Sequence, residues 1–70
     1  MKESVYEVVE VIGSSPESWE QAAKVAVRRA SKSLKDLRIA EVAAMDMHLG
    51  NGKVLTYRVR LKVSFKHLAE

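Results

Sequence analysis

The side chains of this 70-residue chain that could do chemistry are two histidines, nine carboxylates and twelve cationic residues, with no cysteine. Without a thiol there are no disulfides and no thiolate zinc sites. His48 and His67 stand at no metal-ligand spacing to each other or to a pair of carboxylates, and no EF-hand loop is present. Neither histidine forms a recognisable nucleophile–base pattern with a serine, so the sequence argues against an enzyme. One set remains. Arg58, Arg60 and Lys62 alternate along one segment and would suit an anion such as a phosphate-bearing cofactor. Their plainer role is salt bridges to Glu7, Glu10 or Glu41.

These residues sit on four elements. Val5 to Ile12 is rich in valine and reads as a first strand, with Glu7 and Glu10 on opposite faces, which leaves open the face it buries. Gly13-Ser14-Ser15-Pro16-Glu17 then opens a helix from about Pro16 to Leu34. Ser15 is taken as its N-cap, Pro16 as its first position, and Glu17 and Glu20 as favourable charges near the positive end of the dipole. Trp19, Ala22, Ala23, Ala26, Ala30 and Leu34 form one apolar stripe. Its small alanines predict a helix lying close on a sheet that curls around it, with Trp19 as a core anchor. Lys24, Arg28, Arg29, Lys32 and Lys35 fill the solvated faces.

A second strand is expected from Arg38 to Leu49, weakened by Ala40, Ala43 and Ala44. Asn51-Gly52 then signals a two-residue type I′ hairpin turn. Lys53 to Lys66 has the clearest alternation in the chain: Leu55, Tyr57, Val59, Leu61, Val63 and Phe65 on one side, Thr56, Arg58, Arg60, Lys62, Ser64 and Lys66 on the other. A regular ladder from the turn pairs Leu49 with Val54, Met47 with Thr56, Met45 with Arg58, Glu41 with Lys62 and Ile39 with Ser64. That register puts Ile39, Met45 and Met47 on the face away from the helix. A β-bulge would shift it.

One domain, residues 1–70, accommodates all of this. A domain so small sits at the edge of self-sufficiency, and without disulfides or a structural metal oligomerisation is its remaining support. One helix cannot cover both faces of a sheet, so apolar residues on the far face call for partner subunits. The net charge of +3 is spread over interspersed residues, which argues against nucleic acid as partner. No apolar run approaches the roughly 20 residues of a membrane span, and Met1-Lys2-Glu3-Ser4 leads straight into strand pattern; the expectation is a cytoplasmic protein.

Val-Ile-Gly-Ser-Ser-Pro at 11–16, Trp19-Glu20-Gln21-Ala22-Ala23, Arg29-Ala30, Glu41-Val42 and Val63-Ser64-Phe65-Lys66 together resemble the dodecin family over nearly the whole chain. The resemblance implies an α+β fold of order βαββ, a three-stranded antiparallel sheet curled around one helix. It also implies a hollow homododecamer built from trimers, with the helices outside. Most dodecins bind pairs of flavins between subunits and store or quench them without turnover. Ile39, Glu41, Met45 and Arg58 are the positions that match the family's flavin pocket. Two departures are plain. Ile39 stands where a tryptophan stacks on the flavin ring, and it has no π-face. Arg58 stands where a glutamine, following the aromatic that Tyr57 matches, bonds the ring edge, and it has donors only. Ser15 to Ala23, with Asp46-Met47 and Thr56-Tyr57-Arg58, is most similar to the calcium-binding dodecin variant, which also lacks the stacking tryptophan. Flavin and calcium are thus the two ligand classes that the resemblance implies. For a metal it points to the oxygen donors of Glu17, Asp46 and the Gly13–Ser15 carbonyls, beside the plainer roles of Glu17 as a helix cap and Asp46 as a cross-strand partner. The leading expectation is a non-catalytic shell with an altered ligand pocket, and the alternative is a shell that stores flavin or another small molecule.

Overall fold

The computed structural model describes residues 3–66 and has the order β1 (Tyr6–Ser15), α1 (Trp19–Ser33), β2 (Leu37–Gly50) and β3 (Lys53–Lys66). The three strands form one antiparallel sheet in the order β1-β3-β2, so the most regularly alternating strand is the central one. Asn51 and Gly52 both have positive φ, 52° and 73°, as the type I′ turn requires.

The helix starts later than the Ser15-Pro16 signal predicts. Ser18 is the N-cap, and its Oγ accepts from the Gln21 amide at 3.0 Å. Ser18-Trp19-Glu20-Gln21 carries the Ser-x-x-Gln spacing of a capping box, which is the signal the earlier start overlooks. Ser15 instead ends β1, buried, and its Oγ accepts from the Glu17 amide at 3.0 Å. At the other end the Leu34 N–H closes on the Ala30 carbonyl at 2.9 Å. Asp36 then turns the chain into β2 with φ at 62°, and its carbonyl accepts from the Lys66 amide at 3.2 Å.

Ala22, Ala26 and Ala30 are buried, and Ala22 and Ala26 pack with Val59, Leu61 and Val63 of β3. Val9, Val11, Trp19, Ala23, Val27 and Leu37 close around this core. Gly13 belongs to β1, not to a loop, and lies under the helix. A Cβ there would run into the Ala22 carbonyl and stand 2.9 Å from the Ala26 Cβ. The close approach expected from the alanine stripe therefore depends on glycine in the strand as well as alanine in the helix.

The core is short relative to the sheet. A helix of 15 residues spans roughly 22 Å at about 1.5 Å per residue, whereas strands of 14 residues span roughly 46 Å at about 3.3 Å per residue. The helix lies over β1 and β3 and barely reaches β2. Val42, Met45, Met47 and Leu49 of β2 are consequently exposed, as are Val54 and Leu55 beyond the turn.

Candidate functional site

The regular ladder counted from the turn is interrupted three times. Leu49 pairs with Val54, but His48 pairs with Thr56, which leaves Leu55 unpaired. Ala43 and Arg38 are skipped in the same way on β2. The shifts at Leu55 and Ala43 compensate. Between them, Ala44–His48 is displaced by one residue; beyond Ala43, Glu41 faces Lys62 and Ile39 faces Ser64 as counted from the turn.

A one-residue slip in a strand exchanges faces. The expected pairs Met47–Thr56 and Met45–Arg58 are therefore replaced by Met47–Tyr57 and Met45–Val59, on the helix side of the sheet. Both methionines are still exposed, because the helix does not extend over them. Asp46 takes the vacated place opposite Arg58.

The face away from the helix then reads row by row across β1, β3 and β2. Val8, Ser64 and Ile39 form one row; Glu10, Lys62 and Glu41 the next; Ile12, Arg60 and Ala44 the third; Ser14, Arg58 and Asp46 the fourth. Val8, Ile12 and Ile39 are exposed, Ile39 at 66%. Glu7 and Glu10 do take opposite faces, Glu10 on this one. Lys62 stands between two carboxylates, Glu10 and Glu41, and closes no ion pair under 4.0 Å with either.

The fourth row is the most ordered. Arg58 donates from Nε to Asp46 Oδ1 at 2.7 Å and from Nη2 to Oδ2 at 3.0 Å, a two-point guanidinium–carboxylate contact. The hydrogen bond from Arg58 holds the Asp46 carboxyl below the ordinary carboxylate range, and the charges of Arg58 and Arg60 act in the same direction. Behind it, Trp19 Nε1 donates to the Asp46 carbonyl at 3.0 Å, and the Trp19 and Tyr57 rings meet edge to face at 5.0 Å.

These positions bear directly on the residues that match the flavin pocket. Ile39, Glu41 and Arg58 share the uncovered face; Met45 is on the other. Ile39 pairs with Ser64, six residues along β3 from Arg58, so the two lie about 20 Å apart at roughly 3.3 Å per residue. A ligand too short to bridge that separation, less the reach of the Arg58 side chain, can touch both only where two copies meet.

Glu17 is exposed in the β1–α1 turn, and both carboxylate oxygens of Asp46 are engaged by Arg58. Among the described residues no group of three His, Cys, Asp or Glu could hold a metal ion, and His67 lies outside them. On the helix side an apolar groove runs along β2, floored by Val27, Ala40, Val42 and Leu61, with Lys24 and Arg28 at its rim. No helix among the described residues is long and apolar enough to cross a membrane.

Comparison with known proteins agrees with this architecture. Residues 5–67 match the family model described as Dodecin. Calcium dodecin of Mycobacterium tuberculosis is 52% identical over 63 residues, covering 90% of this chain and 89% of the relative. A solved structure of dodecin from Streptomyces coelicolor superposes with a TM-score of 0.93 at 36% identity, covering 100% of both chains. A solved M. tuberculosis calcium dodecin, described as calcium-chelating with a novel calcium-binding site, gives 0.83 at 49% identity and 96% coverage of both chains. The match over almost the full chain, in sequence and in fold, places this chain in the dodecin family.

Proposed function

We propose that the chain builds a non-catalytic homo-oligomeric shell, a dodecamer assembled from trimers, which holds a small ligand where subunits meet. The separation of Ile39 from Arg58 on one bare sheet face carries this reading. Neither residue alone makes a pocket, and the exposed Val8, Ile12 and Ile39 of that face need a partner surface. The groove beside Val42 and the exposed Met45 and Met47 supply further surface for subunit contact.

The pocket differs from a flavin-stacking one. Ile39 offers no ring, and Arg58 directs its Nε and Nη2 donors to Asp46. Calcium is the second ligand class, favoured by the 52% identity to a relative named calcium dodecin. Among the described residues no three carboxylates group into a calcium site, so such a site would draw oxygen donors from several copies or from backbone carbonyls.

Sedimentation velocity with a riboflavin titration tests the proposal. The expected result is one species near twelve subunits, no folded monomer at micromolar concentration, and little quenching of riboflavin fluorescence. A stable monomer with native circular dichroism would sink the shell. Tight riboflavin quenching by the wild-type protein would favour flavin storage through a platform other than Ile39.

A further inference from the structure

Two compensating bulges confine a face exchange to Ala44–His48, and the charged residue that it re-aims is Asp46. In an unbulged ladder Asp46 would face Tyr57 on the helix side, with Arg58 on the opposite face. The bulge at Leu55 carries Asp46 to Arg58, and the bulge at Ala43 restores the register before Glu41. Bulges that re-aim one side chain concentrate beside functional sites. The displaced segment is also tied from behind, since Trp19 holds the Asp46 carbonyl at 3.0 Å. Asp46 and Arg58 then meet at 2.7 and 3.0 Å while their side chains stay 50% and 43% exposed. Two formal charges face the ligand surface and cancel each other there.

We propose that Asp46 and Arg58 are a specificity-determining pair, each withholding the other from ligand: Asp46 keeps the guanidinium from anions, and Arg58 keeps the carboxylate from divalent cations. This rests on the reading of the uncovered sheet face as the ligand surface. It also follows that calcium, if this chain takes it, is not held by Asp46 while Arg58 is present. Other charges on the face do not duplicate the pair. Lys62 stands between Glu10 and Glu41, and Arg60 lies between Ile12 and Ala44 with no carboxylate opposite.

The chain has one tryptophan, and Trp19 touches Asp46, so it can report on both partners. Terbium(III) at the Asp46 carboxylate would lie close enough to Trp19 to emit by energy transfer. Assembled wild-type protein should give only background emission. Arg58→Gln should raise saturable emission at least fivefold, reversed by excess calcium. Arg58→Lys, which keeps the charge, should stay near background, and Arg58→Gln with Asp46→Asn should return to it. In the complementary arm inorganic pyrophosphate should perturb Trp19 fluorescence at least threefold more tightly in Asp46→Asn than in wild type, an effect lost in the double variant. The proposal is overturned if Arg58→Gln and Asp46→Asn assemble normally and match wild type in both arms, which would make the pair a simple cross-strand tie. It is equally overturned if wild type binds terbium at Asp46 as well as Arg58→Gln does. Arg58→Met serves as a second neutral variant where Arg58→Gln does not assemble, and failure of both to assemble would assign the pair to structure alone. Sedimentation of the wild type tests the shell separately, so either idea can fail without the other.

Discussion

Trp19 donates its indole N–H to the backbone carbonyl of Asp46 at 3.0 Å, joining the first turn of the helix to the displaced segment of β2. The bond explains why a tryptophan stands at the start of a stripe whose middle is all alanine. The ring packs on the core and meets Tyr57, while its one polar atom satisfies a carbonyl. Trp19→Phe keeps most of the apolar contact and removes the donor. A loss of about 1 kcal/mol is expected, read as a lower urea midpoint at fixed protein concentration. An unchanged midpoint would show that water replaces the indole without cost.

The contact between Gly13 and the helix makes a sharper demand. Gly13→Ala would drive a methyl group into the Ala22 carbonyl, and backbone cannot move aside as a flexible side chain does. Ala26→Leu overpacks the same contact from the helix side, at a cost of about 1–3 kcal/mol. Gly13→Ala is expected to cost at least as much. Thermal denaturation of both variants checks this, and a Gly13→Ala protein as stable as wild type would mean that the helix rides higher on the sheet.

The legible parts of the fold are those where one local rule acts alone. Asn51-Gly52 marks a turn because few other residues accept positive φ twice in a row, and the alternation of β3 needs only one buried side. The alanine stripe gave the helix phase correctly. Two features resisted. The helix start lies between competing signals, Ser15-Pro16 and the Ser18–Gln21 capping box, and the box forms because Gly13–Ser15 is still needed in the sheet. The bulges at Leu55, Ala43 and Arg38 leave no residue type that demands them. The doubled Ala43-Ala44, which breaks the alternation of β2, is the only hint. Missing them sends Met45 and Met47 to the wrong face and hides the opposition of Asp46 and Arg58.

Acid should loosen that pair. An ordinary aspartate titrates near 3.8, and the hydrogen bond from Arg58 moves Asp46 below this. A depressed folded-state pKa means that the stabilisation is fully present above the ordinary value and disappears as pH falls through the depressed one. A carboxyl-carbon NMR titration should find Asp46 below 3.8, moving upward toward that value in Arg58→Gln. Exposure makes the effect on total stability small. An Asp46 midpoint that Arg58→Gln leaves unmoved would show that the pair is open in solution.

The flavin-like pocket can be rebuilt, and the way it is rebuilt tests which copies contribute to it. Ile39→Trp supplies a stacking face worth roughly 0.5–1.5 kcal/mol beyond area burial. Arg58→Gln restores an acceptor where an unmatched buried polar partner costs about 1–3 kcal/mol. Together these correspond to about one to three orders of magnitude in affinity, since about 1.4 kcal/mol is tenfold. The double variant should therefore quench riboflavin fluorescence where wild type does so weakly. Because the two positions lie about 20 Å apart in one chain, at roughly 3.3 Å per residue, a compact ligand touching both is expected to join different subunits. Shells co-assembled from Ile39→Trp chains and Arg58→Gln chains should then recover part of the quenching, although no chain carries both changes. Physically mixed but separately assembled shells should not. Recovery in the double variant without recovery in the co-assembled shells would mean that each change acts at its own pocket, and the shared site would have to be abandoned.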